Sequence, residues 1–181
     1  MAVFRRSPRL PDDVRARLPL APGEKVAAAA PVTDGWAVAT NRALHVARDG
    51  AGPTARPWHE VDAARLDPET HVLRVVWVDG TTTDLELTEL RDVRFAREVH
   101  GRVQSSVVHH ERVEVGLTSA RVALRRDSSG ELFVQVVAPA GVDLSAPAVA
   151  ARIATAEARV REAAGAEVIG RTRFGTPPGI G

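Results

Sequence analysis

His100, His109, His110 and Glu111 are the one local group of side chains with metal-binding chemistry. A zinc-like ion needs three or four such donors converging on one point. If His109 and His110 lie on a strand, alternation points them to opposite faces. No H-E-x-x-H spacing places two imidazoles on one helix face. The remaining histidines, His45, His59 and His71, are scattered, and no metal site is expected. Two carboxylate pairs, Glu60 with Asp62 and Asp84 with Glu86, would each share a strand face. Paired acids are the apparatus of a glycosidase, but acids two apart on an exposed strand are normally solvated. Ser105, Ser106, Ser119, Ser128 and Ser129 fall at element ends and turns, where serine caps and closes turns. No nucleophile elbow and no glycine-rich phosphate loop is present. No catalytic residue and no cofactor is assigned, and the chain is expected not to be an enzyme.

The contact candidates are basic and aromatic. Arg5, Arg6 and Arg9 form a sparse N-terminal arm, and Arg91 and Arg94 lie on a predicted helix. They would contact a protein partner or an anionic membrane surface. Compensating acids, Asp12, Asp13, Asp92 and Glu98, make a solvated face the plainer reading of the arginine runs. The three tryptophans read as core or barrel-rim residues; Trp58, which follows Pro57, is the one of them nearest to exposure and the candidate for a partner contact. Nucleic acid is not expected, because aromatics make up 4% of residues and tyrosine is absent, which leaves few stacking platforms. Phe174, beside Arg173 and ahead of Pro177 and Pro178, would suit a short docking segment in an otherwise mobile tail.

Composition sets the frame for these residues. The chain has 181 residues, 44% hydrophobic and 26% charged, with a formal net charge of +1. That is enough chain to bury a core without staples, and too balanced a charge to impose a polyanionic partner. Cysteine is absent, which removes disulfides and thiolate chemistry and fits a reducing compartment. All basic residues except Lys25 are arginine. The N-terminus has no signal-peptide pattern and no segment reaches the length of a membrane span, so a cytoplasmic location is expected.

Pattern then places the elements. Pro11-Asp12-Asp13 opens a short helix that Pro19 stops. Lys25–Pro31, Trp36–Thr40 and Ala43–Arg48 read as strands, and Pro57–Ala63 as another. Val72–Val78 is the strongest strand, rich in β-branched residues. Asp79-Gly80 turns it into Thr82–Leu87. Thr88 would cap a helix over 88–105 whose stripe is Leu90, Val93, Ala96, Val99 and Val103. Strands follow near Val113–Leu117, Val122–Leu124 and Leu132–Val137. Ser145 would cap a last helix with the stripe Val149, Ile153, Ala156, Val160 and Ala163, closed by Gly165.

The run Gly35-Trp36-Ala37-Val38-Ala39-Thr40-Asn41-Arg42-Ala43-Leu44-His45-Val46 resembles the strand–turn–strand element of bacterial pleckstrin-homology-like and GRAM-like domains. Pro57-Trp58-His59-Glu60-Val61, Leu73–Val78, Asp79-Gly80 and Leu85–Leu87 are similar to the elements that follow in them. The resemblance covers roughly residues 23–107. It implies a bent antiparallel barrel or sandwich closed by the helix at 88–105, and no fixed activity, since that fold hosts lipid, peptide and protein binding. The whole chain also resembles actinobacterial proteins with no assigned activity. The expected class is α+β: an N-terminal arm and short helix (1–22), a pleckstrin-homology-like β-domain with its closing helix (23–107), a three-strand meander plus helix (108–165), and a tail (166–181). The expected function is a non-catalytic protein-interaction or scaffold module. The alternatives are a peripheral module for anionic lipid or a small ligand, and an unrecognised enzyme.

Overall fold

A computed structural model describes residues 9–88, 93–165 and 172–175 of the chain. Helix α1 (Asp12–Arg17) follows Pro11 and carries Asp12 and Asp13 in its first turn, where the positive end of the helix dipole favours acids. Leu18 leaves the helix extended. Leu10, Val14 and Leu18 are buried together with Val38 and Ala47.

Strands β1 (Val26–Val32), β2 (Gly35–Thr40), β3 (Ala43–Arg48) and β4 (Thr54–Pro57) form an antiparallel meander in sequence order. Gly35 opens β2 at φ 143°, and a Cβ there would lie 2.1 Å from the Ala47 carbonyl oxygen, so only glycine fits. At the other end of β2, the Thr40 hydroxyl accepts hydrogen bonds from the Arg42 and Ala43 amides at 3.1 and 2.9 Å. That side-chain bond closes the turn into β3.

The strand expected over Pro57–Ala63 is displaced. Trp58–Glu60 forms a single 3-10 turn, and β5 runs from Val61 to Leu66. The Trp58 amide donates to the Arg42 carbonyl and its indole N–H to the Thr40 carbonyl, which bends the chain here. Strand β6 (Val72–Trp77) turns at Asp79-Gly80, with Gly80 at φ 90°, into β7 (Thr82–Glu86). These make a second sheet in the order β5-β6-β7.

Helix α2 (Val93–Ser106) buries Phe95, Val99 and Val103 at four-residue spacing, with Ala96 beside them. Val93, expected on the stripe, is 48% exposed, and Phe95 takes the buried place, which rotates the face. Leu90 lies outside the described residues. Thr88 donates through its amide to the Pro31 carbonyl, and the helix start that it is expected to cap lies outside the described residues.

A third sheet, in the order β11-β10-β9-β8, contains β8 (Val107–Val115), β9 (Thr118–Arg126), β10 (Leu132–Val137) and β11 (Arg173–Gly175). Pairing is antiparallel except between β10 and β11, which run parallel. One face of the sheet, with Val113, Ala120, Val122, Leu124, Val134 and Val136, packs on Ile153, Ala156 and Val160 of α3 (Pro147–Ala163). Helix α3 starts from Ala146 with Pro147 in its first turn. Ser145 does not cap it: the N-cap position falls on Ala146, with no side-chain cap bond, and the Ser145 hydroxyl donates to Asp143 at 2.5 Å. Gly165, at φ 59°, closes the helix as its pattern predicts. The tail expected to be mobile contains β11.

Among the described residues the architecture is thus α+β and mostly strand, in three sheets with no closed barrel of the kind expected. The chain forms two compact units that interleave in sequence. The first takes the described residues up to Trp58, Ala64–Val75 and those from Thr83 to Arg102. The second takes His59–Ala63, Val76–Thr82 and the described residues from Val103 on. The crossings fall within the 3-10 turn, β5, β6, β7 and α2.

Candidate functional site

In the first unit, Glu24, Thr40 and His45 meet in the interior. Thr40 Oγ1 lies 2.5 Å, and His45 Nε2 2.7 Å, from the same carboxylate oxygen of Glu24. The other oxygen accepts the Ala21 amide at 2.9 Å. Hydroxyl, imidazole and carboxylate suggest a relay, but a nucleophile must bond its base, and the base its orienting acid. Here hydroxyl and imidazole both bond the acid. Thr40 is also wholly buried, so the group is a structural link. Burial alone would raise the Glu24 carboxyl, but hydrogen bonds from Thr40, the Ala21 amide and His45 outweigh it and hold it below its ordinary value.

The second unit holds the richer set. Alternation on β9 and β10 sends Arg121, Ala123, Arg125, Phe133, Gln135 and Val137 to the face away from α3. Arg125 is 1% exposed. Its guanidinium donates to the Ser106 hydroxyl at 2.9 Å and the Val61 carbonyl at 3.0 Å, both neutral oxygens. Burial, with some help from Arg121, pushes its pKa down to about 10. Arg121 pairs with Asp62. Gln135 donates to the His59 carbonyl at 3.2 Å. Arg125 Nε and Gln135 Oε1 are buried with no hydrogen-bond partner.

Strand β11 completes this face. Arg173 pairs with Gln135 in register and lays its guanidinium 4.1 Å from the centre of the Phe133 ring. Its Nη1 lies 3.1 Å from His59 Nε2, which accepts. The His59 ring stands edge-on to Phe133 at 5.2 Å. Burial first, then the Arg173 charge, lowers the His59 pKa, against the opposite pull of Glu60 and Asp127. At the end of the strand the Gly175 carbonyl accepts the Ala138 amide at 3.2 Å. A Cβ on Gly175 would lie 2.3 Å from the Val78 carbonyl oxygen.

At the opposite edge of the sheet lies β8, with Val108, His109, His110, Arg112 and Glu114 exposed. Its hairpin to β9 turns on Gly116 and Leu117, and Leu117 is fully exposed. In a two-residue hairpin the residues flanking the turn, Val115 and Thr118, exchange ladder bonds. Alternation then directs the backbone groups of Glu114, Arg112 and His110 away from β9. The Glu114 carbonyl accordingly accepts from Arg152 Nη1 at 3.1 Å.

The residues singled out by sequence are dispersed. Arg5, Arg6 and Arg91 lie outside the described residues. Arg9, ahead of α1, and Arg94, on α2, are both exposed, and no described hydrogen bond or ion pair joins them. Trp58, offered as a partner contact, is 5% exposed, because the 3-10 turn points its indole at the Thr40 carbonyl. The carboxylate pairs are separately engaged: Asp62 with Arg121, Asp84 with Arg74 through two bonds of 2.7 Å, and Glu86 with Thr33. Among the described residues no group of three or more His, Cys, Asp or Glu side chains is placed to hold a metal ion. No described helix is long and apolar enough to cross a membrane. Phe174 is 66% exposed, but on an ordered strand. The sequence reading missed Glu24, Thr40, His45, Arg125 and Gln135 as interior polar groups. His45, Arg125 and Gln135 are signalled only as polar residues inside the apolar runs of β3, β9 and β10, and Glu24 and Thr40 carry no such signal. In comparisons with known proteins, no family model, no curated protein and no solved structure matches the chain.

Proposed function

We propose that the chain is a non-catalytic protein-interaction module that pairs, through the open edge of β8, with an extended segment of a partner protein. The observation that carries this reading is the edge itself: a nine-residue strand with no strand paired on its outer side among the described residues, leading into the exposed Leu117. Unpaired strand edges take up extended peptides by adding a strand. The imidazoles of His109 and His110 and the charges of Arg112 and Glu114 fit an edge guarded against indiscriminate pairing. Against catalysis stand the buried polar clusters, whose hydroxyl, imidazole and carboxylate groups serve turns and strand links. The pleckstrin-homology-like resemblance of residues 23–107 agrees with a binding role, and the cysteine-free sequence with a cytoplasmic one.

The test uses the full-length chain and its Arg112→Pro variant, immobilised and challenged with lysate of the native host. A partner is expected to bind the wild type and not the variant, and to slow amide exchange at His110 and Arg112. Identical capture by the two proteins, or capture with no added protection on β8, would overturn the reading.

A further inference from the structure

Strand β11 is a three-residue segment seated on the β10 edge, and each of its contacts states a requirement for an occupant. We propose that this edge is a second peptide-docking groove, selective for an extended protein segment with the pattern Arg-x-Gly, and that the chain's own Arg173-Phe174-Gly175 occupies it in cis. The proposal shares with the preceding one only the reading of the chain as an interaction module, and it concerns the opposite edge of the sheet.

The first position is read by charge and stacking. Arg173 lies over Phe133 at 4.1 Å and donates to His59 Nε2 at 3.1 Å. Arginine's planar guanidinium satisfies both contacts, whereas a lysine ammonium lacks the plane and the fork. The middle position is not read, since Phe174 is 66% exposed. The third position is read by space. A Cβ on Gly175 would meet the Val78 carbonyl oxygen at 2.3 Å and the Val78 side chain at 3.1 Å, and carbonyl oxygen does not yield as the end of a flexible side chain would. Backbone pairing of Gln135–Val137 with the segment and the bond from the Ala138 amide to the Gly175 carbonyl supply the sequence-independent part.

The wall opposite β10 is built for this seat. The Val78 amide donates to the Glu60 carbonyl at 2.9 Å, and the Gln135 side chain to the His59 carbonyl at 3.2 Å, so Val78, Glu60 and His59 are fixed in place. A three-residue parallel ladder is short, and a tethered segment holds its seat mainly by effective concentration, on the order of mM for short linkers. A partner with the same pattern and a longer pairing stretch would displace it.

The test is a fluorescence-polarisation titration with a labelled Thr-Arg-Phe-Gly-Thr peptide, whose sequence is that of residues 172–176. The full-length Gly175→Val variant, whose own tail cannot seat, is expected to bind it at least about tenfold more tightly than the wild type, in which the cis segment competes. The same peptide with valine in place of glycine is expected not to bind. No binding to Gly175→Val, or equal binding of the two peptides, would overturn the proposal. Circular dichroism checks that the variant is folded; if it is not, the full-length Arg173→Ala variant replaces it with the same two outcomes. Partner capture that depends on Arg112 reads the other edge, so failure here leaves that result untouched.

Discussion

His45 Nε2 stands 2.7 Å from Oε1 of Glu24, and the two side chains are only 1% and 4% exposed. A carboxylate oxygen can only accept, so Nε2 carries the proton. Thr40 Oγ1 bonds the same oxygen and also closes the β2–β3 turn. One interior group thus ties the segment before β1 to two strands that the chain joins by a two-residue turn.

Thr40→Val keeps the shape of the side chain and removes its hydroxyl. It leaves the Arg42 and Ala43 amides without their acceptor and Glu24 without one donor, and is expected to cost about 2 kcal/mol. The Glu24 carboxyl is held below its ordinary 4.5, so its contribution is complete above that value and is lost as pH falls through the lower, folded value. The gap between the urea midpoints of the two proteins should therefore narrow between about pH 6 and about pH 3, leaving at the acid end the part owed to the Arg42 and Ala43 amides. A gap independent of pH would separate Thr40 from the carboxylate.

His59 works in the opposite chemical sense. Its imidazole is pushed below its ordinary 6.5, burial first and the Arg173 charge second, so the fold favours the neutral ring. The folded protein then binds fewer protons than the unfolded chain between the two values, and stability falls as pH drops below about 6.5. Protonated His59 would also stop accepting from Arg173 Nη1. His59→Gln should flatten stability over this range, and NMR should show β11 amides losing protection in the wild type on acidification but not in the variant.

Local pattern carried the hairpins well. Val72–Trp77 is β-branched and bounded by Asp79-Gly80, and the apolar spacing of Ile153, Ala156 and Val160 matches the face that α3 buries. Both signals act within a few residues of each other. The candidate sites do not: Gln135 bonds a residue 76 positions away and Arg173 one 114 away. No period announces a three-residue strand such as β11, whose Arg-Phe-Gly reads as tail until Phe133 and Val78 stand beside it. The seat of the Trp58 indole is hidden from local pattern for a related reason, because it depends on the Thr40 carbonyl, 18 positions earlier. The barrel expectation failed because strand order predicts which neighbours pair, not whether the sheets close.

Arg125 carries a buried charge on two neutral oxygens. Its pKa, lowered to about 10, means that the folded state holds the proton less tightly than the unfolded chain, so below about pH 10 the whole cost of burying the cation is present. Replacement by an apolar side chain of similar length removes that cost while losing two hydrogen bonds. Arg125→Met is therefore expected to lie within about 1 kcal/mol of the wild type, whereas Arg125→Ala, which adds a cavity, should cost roughly 2–5 kcal/mol. Chemical denaturation of the two variants compares them directly. An Arg125→Met cost as large as that of alanine would mean that the charge, not the volume, secures Ser106 and Val61.

The edge of β8 makes a prediction that depends only on backbone direction. If the amide of Arg112 points away from β9 and that of Val113 into the ladder, proline should distinguish neighbouring positions. Arg112→Pro gives up an N–H that faces solvent, and edge strands tolerate such a proline. Val113→Pro removes a ladder bond and the apolar contact with the α3 side, where Val113 is 7% exposed. The second variant should be less stable than the first by at least about 2 kcal/mol in urea denaturation, with the first still folded and only its edge blocked. Equal losses would mean that the ladder alternates the other way along β8. The outward groups would then be those of Glu111 and Val113, and a pairing segment would meet the Glu111–Arg159 ion pair instead of His110 and Arg112.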